Sequence, residues 1–293
     1  MSLLTAAPDF AFCTHNMGST PVGQSINFAT GVTAGASNTD GSAVTLISAV
    51  THDIEYLIIG ISGFGSTAGS GVNPSTLLDI LHDPAGGSSW VSDPLIEKLL
   101  VGGTYPINLQ SATVGTGTPL WYFFPLFIPS GTSLAGRART AHTSTITGRV
   151  VVYAYGGNRN PGTWWSGRKI TSVGIDAANS RGQDHTPGST GSFSSWTNLG
   201  STLPYDGHAY QFAVQGKNDA AWTGSSSPYW WQFGVNSVQI GPTIIKGHTS
   251  QETGLTFPTG PLFRSFKSGQ QLMVRATALS TAETLDCAAY IVS

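Results

Sequence analysis

The densest group of side chains able to act as acids, bases or metal ligands lies between positions 79 and 93. It comprises Asp79, His82, Asp83 and Asp93. Two carboxyl groups held near a sugar can act as general acid and general base in glycoside hydrolysis. However, Asp83 begins the sequence Asp-Pro-Ala-Gly-Gly, which is typical of a turn. We therefore interpret the cluster as turn chemistry and predict no catalytic residue.

Other familiar catalytic spacings are missing from the sequence. There is no Gly-x-Ser-x-Gly elbow, no His-Glu-x-x-His motif, no phosphate-binding loop and no dinucleotide fingerprint. The seven histidines form no short-spaced ligand pair, and most are expected in loops, namely His15, His52, His142, His185, His208 and His248. We predict that the protein is not an enzyme and binds no metal and no cofactor.

Clustered aromatic residues are the better candidates for binding, because exposed rings stack on sugars and anchor protein interfaces. The candidate surface residues are Trp164, Trp165, Trp222 and Tyr229. Trp164 and Trp165 lie in an irregular stretch, where packing between domains is the equal alternative to a surface role. The pair Trp230-Trp231 falls in a strand pattern, so at least one of these two rings is predicted to be core.

An internal repeat indicates which elements hold these residues. The segment Pro129–Arg139 recurs as Lys267–Thr277, with Ser-Gly, a leucine and Arg-Ala at the same distances in both copies. Three further segments align in the same order: 53–63 with 207–217, 98–102 with 243–247, and 149–153 with 286–290. Four matching segments in one order predict two related domains rather than a solenoid.

The apolar runs of the chain are short, rich in Val, Ile, Tyr and Phe, and bounded by turn residues, which indicates strands. Examples are 43–50, 54–61, 120–128, 149–155, 209–214, 229–235, 271–278 and 287–292. Two leucine-rich segments, Ser75–His82 and Pro94–Val101, resemble helices, but their repeat counterparts are aromatic and β-branched. We predict strands for both, with a short helix before Leu99 left open.

These patterns predict an all-β protein with two tandem antiparallel β-sandwich or jelly-roll-like domains related by internal duplication. Residues 1–41 are predicted to be an N-terminal arm, with the addition of one strand left open. Residues 42–157 form the first sandwich, 158–195 the connection and entry to the second domain, and 196–293 the second sandwich.

The two cysteines, Cys13 and Cys287, are too few for a disulfide scaffold. Cys287 belongs to an alternating strand in which 287, 289 and 291 share one face, and 288, 290 and 292 share the other. Because both faces are apolar, the strand is predicted to be packed on two sides or to contact another subunit. Cys287 is read as a buried thiol, and a disulfide to Cys13, within or between chains, is the alternative.

Composition limits the classes of partner. Charged residues make up 10% of the chain and its net charge is −2, so there is no basic footprint for nucleic acid. No stretch approaches the roughly 20 apolar residues of a spanning helix, so no membrane insertion is expected. The N-terminus lacks the pattern of a signal peptide, which predicts synthesis in the cytoplasm without general export. The low charge favours a place in a larger assembly, and a soluble monomer is the alternative.

Several segments resemble virion structural proteins of tailed bacteriophages. They are the run from Phe124 to Ala138, the following strand that ends in Val-Tyr-Ala-Tyr-Gly156, and the stretch Asp79–Gly86 that leads to Leu99–Gly102. The resemblance implies a β-rich, homo-oligomeric particle component in the virion, with other virion proteins as partners and no catalytic residues. Its place would be capsid decoration, neck or collar, tail or fibre. The alternative is a module on the virion that binds a host-surface glycan or receptor.

Overall fold

The computed structural model describes most of the chain. The described residues are 9–13, 30–50, 53–64, 75–102, 120–156, 167–189, 191–200, 202–216, 229–246, 257–259, 261–279 and 284–293. The helical content of these residues is a single 3₁₀ turn, Ala177–Asn179. None of the helical structure in the described ranges is long and apolar enough to cross a membrane. The all-β class predicted from sequence is confirmed.

We call residues up to 156 the first half and residues from 167 onward the second half. The strands of the first half are β1 (Asp9–Cys13), β2 (Thr30–Gly35), β3 (Val44–Ile47), β4 (Ile54–Ser62), β5 (Thr76–Asp83), β6 (Ile96–Leu100), β7 (Leu120–Phe124), β8 (Ser133–Thr140) and β9 (Ile146–Gly156). The strands of the second half are β10 (Ile170–Val173), β11 (Ile175–Asp176), β12 (Arg181–His185), β13 (Thr197–Asn198), β14 (Gly207–Gly216), β15 (Tyr229–Val235), β16 (Val238–Gln239), β17 (Ile244–Lys246), β18 (Phe257–Pro258), β19 (Leu262–Phe266), β20 (Leu272–Ala278) and β21 (Leu285–Val292).

The strands of the first half pair in two layers. In one layer β9 pairs with β1 and β2 along one edge and with β4 along the other, and β4 continues to β7. In the other layer the order is β3, β8, β5, β6. A short parallel pairing between β2 and β8 links the layers at one side. This is a jelly-roll arrangement, with β1 and β2 together occupying the first strand position.

The second half repeats the main pairings of the first half, with additional short strands. In one layer β21 pairs with β10 and β12 along one edge and with β14 along the other, and β14 continues to β18 and β19. In the other layer the order is β13, β20, β15, β17, with β16 as a hairpin partner of β15. The leucine-rich segments are strands, β5 and β6, and their counterparts β15 and β17 are strands too. The predicted internal duplication is confirmed.

The segments predicted to flank the sandwiches also contain strands. The N-terminal segment 1–41 contributes β1 and β2, and both pair with β9. The predicted connection, 158–195, contains β10, β11 and β12, and two of these pair with β21. The boundaries given from sequence stay a prediction, although these strands complete the layers of the two halves.

Two hydrophobic cores fill the molecule, and β21 is shared between them. Cys287, Ala289 and Ile291 belong to the core of the second half. Ala288, Tyr290 and Val292, on the opposite face of the same strand, belong to the core that the first half builds. The predicted two-sided packing of this strand is confirmed, because the partner of its second face is the first half of the same chain.

The two halves are joined by main-chain and side-chain hydrogen bonds at β6. Ile170 of β10 lies opposite Ile96 of β6 in a parallel bridge, and its amide donates to the carbonyl of Leu95 at 3.0 Å. The hydroxyl of Tyr290 accepts from the Leu100 amide at 2.7 Å and donates to the carbonyl of Lys98 at 3.3 Å. The outer edge of β6 is therefore covered by the second half.

Tyr290→Phe is expected to destabilise the protein by about 1–3 kcal/mol, because the buried Leu100 amide loses its hydrogen-bond acceptor. Urea unfolding followed by circular dichroism measures the difference. Tyr205→Phe is the matched control, since the ring of Tyr205 is 58% exposed. A Tyr290→Phe protein with the same unfolding midpoint as the wild type would show that this hydroxyl does not hold the halves together.

Candidate functional site

The contact between the two halves gathers a large share of the charges in a chain that has few. The whole sequence contains 13 basic and 15 acidic residues. Eight of them lie along this contact, which we call the charged seam: Asp40, Asp79, Arg137, Arg139, Asp176, Arg181, Asp184 and Asp286. The seam is the strongest candidate for polar chemistry in the described structure.

On the first half, the charges are arranged as cross-strand pairs. Asp79 of β5 lies opposite Arg137 of β8, and a carboxylate oxygen accepts from the guanidinium at 2.7 Å. Asp40 bridges Arg137 and Arg139, with nitrogen–oxygen distances of 3.6 and 2.5 Å. Arg137 belongs to the repeated sequence segment, and its charge is neutralised by carboxylates of the same chain. A partly buried ion is costly without such close counter-ions.

On the second half, Arg181 holds two carboxylates. It lies 3.4 Å from Asp176 and 3.2 Å from Asp184. Hydrogen bonds from Asn179 and Arg181 hold the pKa of Asp176 below its ordinary value. Arg139 reaches across from the first half and donates to the carbonyl of Ala177 at 3.2 Å. The two charged groups thus form one continuous network.

Asp286 is the most deeply buried acid of the seam. It has no exposed surface, and one of its oxygens accepts from Ser75 of the first half and from Gln215 of β14, both at 3.3 Å. Its register partner on β12 is a second acid, Asp184. Burial, together with the nearby charge of Asp184, raises the pKa of Asp286 to about 7. The carboxyl group is therefore protonated in mildly acidic solution.

A polar cleft of about 410 Å³ opens beside the seam, between β6 and β10–β11. Its lining includes Glu97, Lys98, Asp176 and Gln183. Lys98 has a left-handed backbone with φ of 48°, which a non-glycine residue adopts at a cost. The Asp79 carboxylate accepts from its amide at 2.9 Å and Tyr290 donates to its carbonyl, so both halves hold this conformation. Among the described residues, no His, Cys, Asp or Glu side chains form a group able to hold a metal ion.

The acidic cluster found in the sequence is divided among separate structural roles. The Asp83 carboxylate accepts from the amides of Ala85, Gly87 and Ser89 at 2.9–3.1 Å, as the turn interpretation predicts. Asp93 forms an ion pair with Lys169 at 2.6 Å. Because Asp79 belongs to the seam, these carboxylates do not face a common substrate position.

The aromatic candidates are placed differently from expectation. Trp164, Trp165 and Trp222 lie outside the described residues. Tyr229 is 2% exposed, and its ring stacks on that of Trp231 with centroids 6.4 Å apart. Alternation along β15 turns Tyr229, Trp231 and Phe233 toward the core of the second half. Tyr229 therefore presents no open ring face to a ligand.

The two cysteines lie on strands that do not pair with each other. Cys13 is opposite Tyr153 on β9, whereas Cys287 is opposite Val214 on β14. Cys287 is a free, fully buried thiol, and burial raises its pKa well above the ordinary value. A buried thiol of this kind is unreactive and fills space as a small hydrophobic residue.

Two histidines expected in loops lie in strands instead. His208 lies within β14, and His185 is the last residue of β12 and only 2% exposed. The two ring nitrogens of His185 contact the hydroxyl groups of Thr197 at 2.9 Å and Ser194 at 3.2 Å. Burial lowers the pKa of His185 to about 4, so the ring is neutral above that pH. The flanking sequence, Arg-Gly-Gln-Asp-His-Thr-Pro, has no apolar alternation that would have revealed this strand.

The raised pKa of Asp286 predicts a pH-dependent effect of Asp286→Asn. When an acid has a higher pKa in the folded than in the unfolded protein, the free energy of unfolding falls as pH rises. For Asp286 this fall is expected between about pH 4 and pH 7. The amide cannot ionise, so the melting temperature of the variant relative to the wild type is expected to rise from pH 5 to pH 8. Differential scanning calorimetry at both pH values measures this difference.

The control for this experiment is Asp206→Asn. A hydrogen bond from Lys267 lowers the pKa of Asp206, so this acid is ionised in both states throughout the range and should show no such trend. A constant difference between Asp286→Asn and the wild type at both pH values would contradict the assignment of a protonated Asp286.

Comparison with known proteins assigns this chain to no family. No protein-family model matches the chain, and no curated protein matches it in sequence. Among solved structures, the chain is similar to PNGF-II, with 7% identity and a TM-score of 0.40. The match covers 90% of this chain and 65% of PNGF-II. In a second crystal form the match covers 59% of PNGF-II. It thus spans less than two thirds of the length of that protein. PNGase F, a glycosylasparaginase from Flavobacterium meningosepticum, is 10% identical with a TM-score of 0.29 over 85% of this chain and 92% of that one. The PBSX exported protein XepA is 12% identical with a TM-score of 0.24 over 90% of this chain and 85% of that one.

Proposed function

We propose that this protein is a non-enzymatic structural component of a tailed-phage virion that acts by assembling with copies of itself and with other virion proteins. The proposal is supported by the resemblance of the segments 79–86 and 124–138 to virion proteins, and by the tandem jelly rolls. Jelly rolls are common in particle-forming proteins, because two complete layers leave their outer faces and edges available for contacts.

The observation that carries the proposal is an uneven distribution of exposed apolar side chains. Five large hydrophobic residues among those described are substantially exposed, and all lie in the second half: Phe193, Tyr205, Val238, Phe263 and Leu279. The halves share one fold and each has a filled core, so folding alone does not require this asymmetry. Exposed apolar groups on one half are typical of a surface that another protein covers.

The strand β19 offers a route for such a contact. Within the described part of the chain, β19 pairs with β14 along one of its edges. Phe263 on this strand is 56% exposed, and its neighbours Arg264 and Ser265 are exposed as well. An exposed aromatic residue on such a strand favours contact with a second chain.

The positions of the acidic residues support a non-enzymatic role. Asp79 neutralises Arg137, Asp83 closes a turn and Asp93 pairs with Lys169. A catalytic acid–base pair needs two carboxyl groups directed at one substrate. These three instead stabilise the fold.

Phe263→Glu is expected to convert an oligomer into a monomer, because a charge in place of this exposed ring opposes its desolvation against a second chain. Sedimentation velocity of the purified protein measures the change, with far-ultraviolet circular dichroism to check the fold. Thr45→Glu is the matched control, since Thr45 is exposed on β3, a strand that pairs only with β8 among those described. This control should remain oligomeric.

Two results would count against these assignments. An oligomer that persists in Phe263→Glu would exclude β19 as the contact. A wild-type protein that sediments as a monomer, together with its absence from purified particles, would overturn the proposed function itself.

A further inference from the structure

The two copies of the repeated arginine differ in the residue that faces them. Arg137 on β8 lies opposite Asp79 on β5. At the equivalent place in the second half, Arg275 on β20 lies opposite Gln232 on β15, and its Nε donates to the Gln232 side-chain oxygen at 2.7 Å. A neutral amide therefore stands where the first half has a carboxylate. Within the described residues Arg275 forms no ion pair, and its terminal nitrogens donate no hydrogen bond.

Two aromatic rings flank the guanidinium of Arg275. Its central carbon lies 4.5 Å from the ring centre of Trp196 and 5.1 Å from that of Phe193. Such cation–π contacts hold the guanidinium plane while leaving its outer nitrogens free to bind. Phe193 is 37% exposed, and Trp196 and Arg275 are partly exposed, so the three side chains form a surface on the outer face of the sheet.

This surface is rigid before any ligand arrives. Ser194 lies between the two aromatic residues, and its amide donates to the carbonyl of Ala276 at 2.9 Å. Its hydroxyl accepts from the Ala276 amide and contacts the buried His185 ring, both at 3.2 Å. On the other side, Gln232 is held by donating to Thr243 at 3.1 Å. A preformed site loses little conformational entropy on binding.

Gly234 provides the space in which the Trp196 ring lies. A Cβ at this position would be 2.6 Å from the ring, a distance that real side chains do not tolerate. The glycine thus leaves room for the edge of the Trp196 ring next to β15. The rings are placed by the fold rather than by the guanidinium alone.

We propose that Arg275, Trp196 and Phe193 form a binding site for a carboxylate-bearing saccharide. The free edge of a guanidinium matches a carboxylate with two parallel hydrogen bonds, and aromatic faces pack on the apolar face of a pyranose ring. Because the residue opposite Arg275 is the neutral Gln232, the positive charge of the guanidinium favours an anionic ligand over a neutral one. The site lies on a different layer from β19, although Phe193 is also one of the exposed apolar residues named under the proposed function.

The decisive variant is Gln232→Glu, which restores an acid opposite Arg275 with almost no change in shape. It is expected to weaken binding by about tenfold or more, because the internal carboxylate competes for the guanidinium. The melting temperature should stay equal or rise, since the new ion pair resembles that of Asp79 and Arg137. Isothermal titration calorimetry of the full chain with trigalacturonate measures the affinity, and maltotriose serves as the neutral probe.

Arg275→Gln and Lys267→Gln complete the test. Both remove one positive charge, but Lys267 is an exposed residue that pairs with Asp206, so only Arg275→Gln should lose binding. The expected result is binding of trigalacturonate but not maltotriose by the wild type and by Lys267→Gln, with loss in the other two variants. Absence of binding by the wild type, unchanged affinity in Gln232→Glu, or equal affinity for maltotriose or a polyglutamate peptide would overturn the proposal.

Discussion

The backbone of β6 is the constraint on which the arrangement of the two halves depends. Its buried amide and carbonyl groups need partners on the side away from β5, since unpaired buried backbone groups are costly. The second half supplies several of these partners through β10 and through the hydroxyl of Tyr290, and Tyr122 of β7 donates to the Leu100 carbonyl. With this edge satisfied, Arg139 meets the carbonyl of Ala177 and Ser75 meets Asp286. The pairing of β6 with the second half thus brings together the residues of the charged seam and of the cleft beside it.

Comparison of the two halves separates what the fold requires from what each copy has acquired. The inner positions of β8 and β20 are apolar or small in both copies, and the strand pairings are the same. The outer positions have diverged, because an outward side chain is not fixed by core packing. In the first half, Arg137 belongs to the charged seam with Asp79. In the second half, Arg275 lies at the surface beside Gln232 and two aromatic rings. In the first half this strand contributes to the contact between the halves. In the second half the equivalent strand holds an arginine at the surface.

The sequence was sufficient for most of the long strands, but not for β12 or for the long-range polar contacts. The repeat identified β5 and β6 as strands despite their leucines, and alternation along β21 predicted burial of both faces. Tyr229 was misplaced because clustering of aromatic residues does not distinguish a surface from a core, whereas the two-residue period of β15 places 229, 231 and 233 on one inner face. The partners of Asp286 could not be predicted, since Ser75 and Gln215 are separated from it by 211 and 71 residues. Similarly, no local pattern marks Lys98 as left-handed or His185 as buried.

The position of Tyr290 in the chain has a consequence for the order of folding during synthesis. Every strand of the first half emerges from the ribosome before β10 and long before β21, and domains tend to fold as they emerge. The first jelly roll can close its own layers at that stage, yet the amide of Leu100 and the core face that Tyr290 covers stay open to water. The union of the halves is therefore a late event, and until it occurs β6 is an unprotected edge that a chaperone or a neighbouring nascent chain can reach.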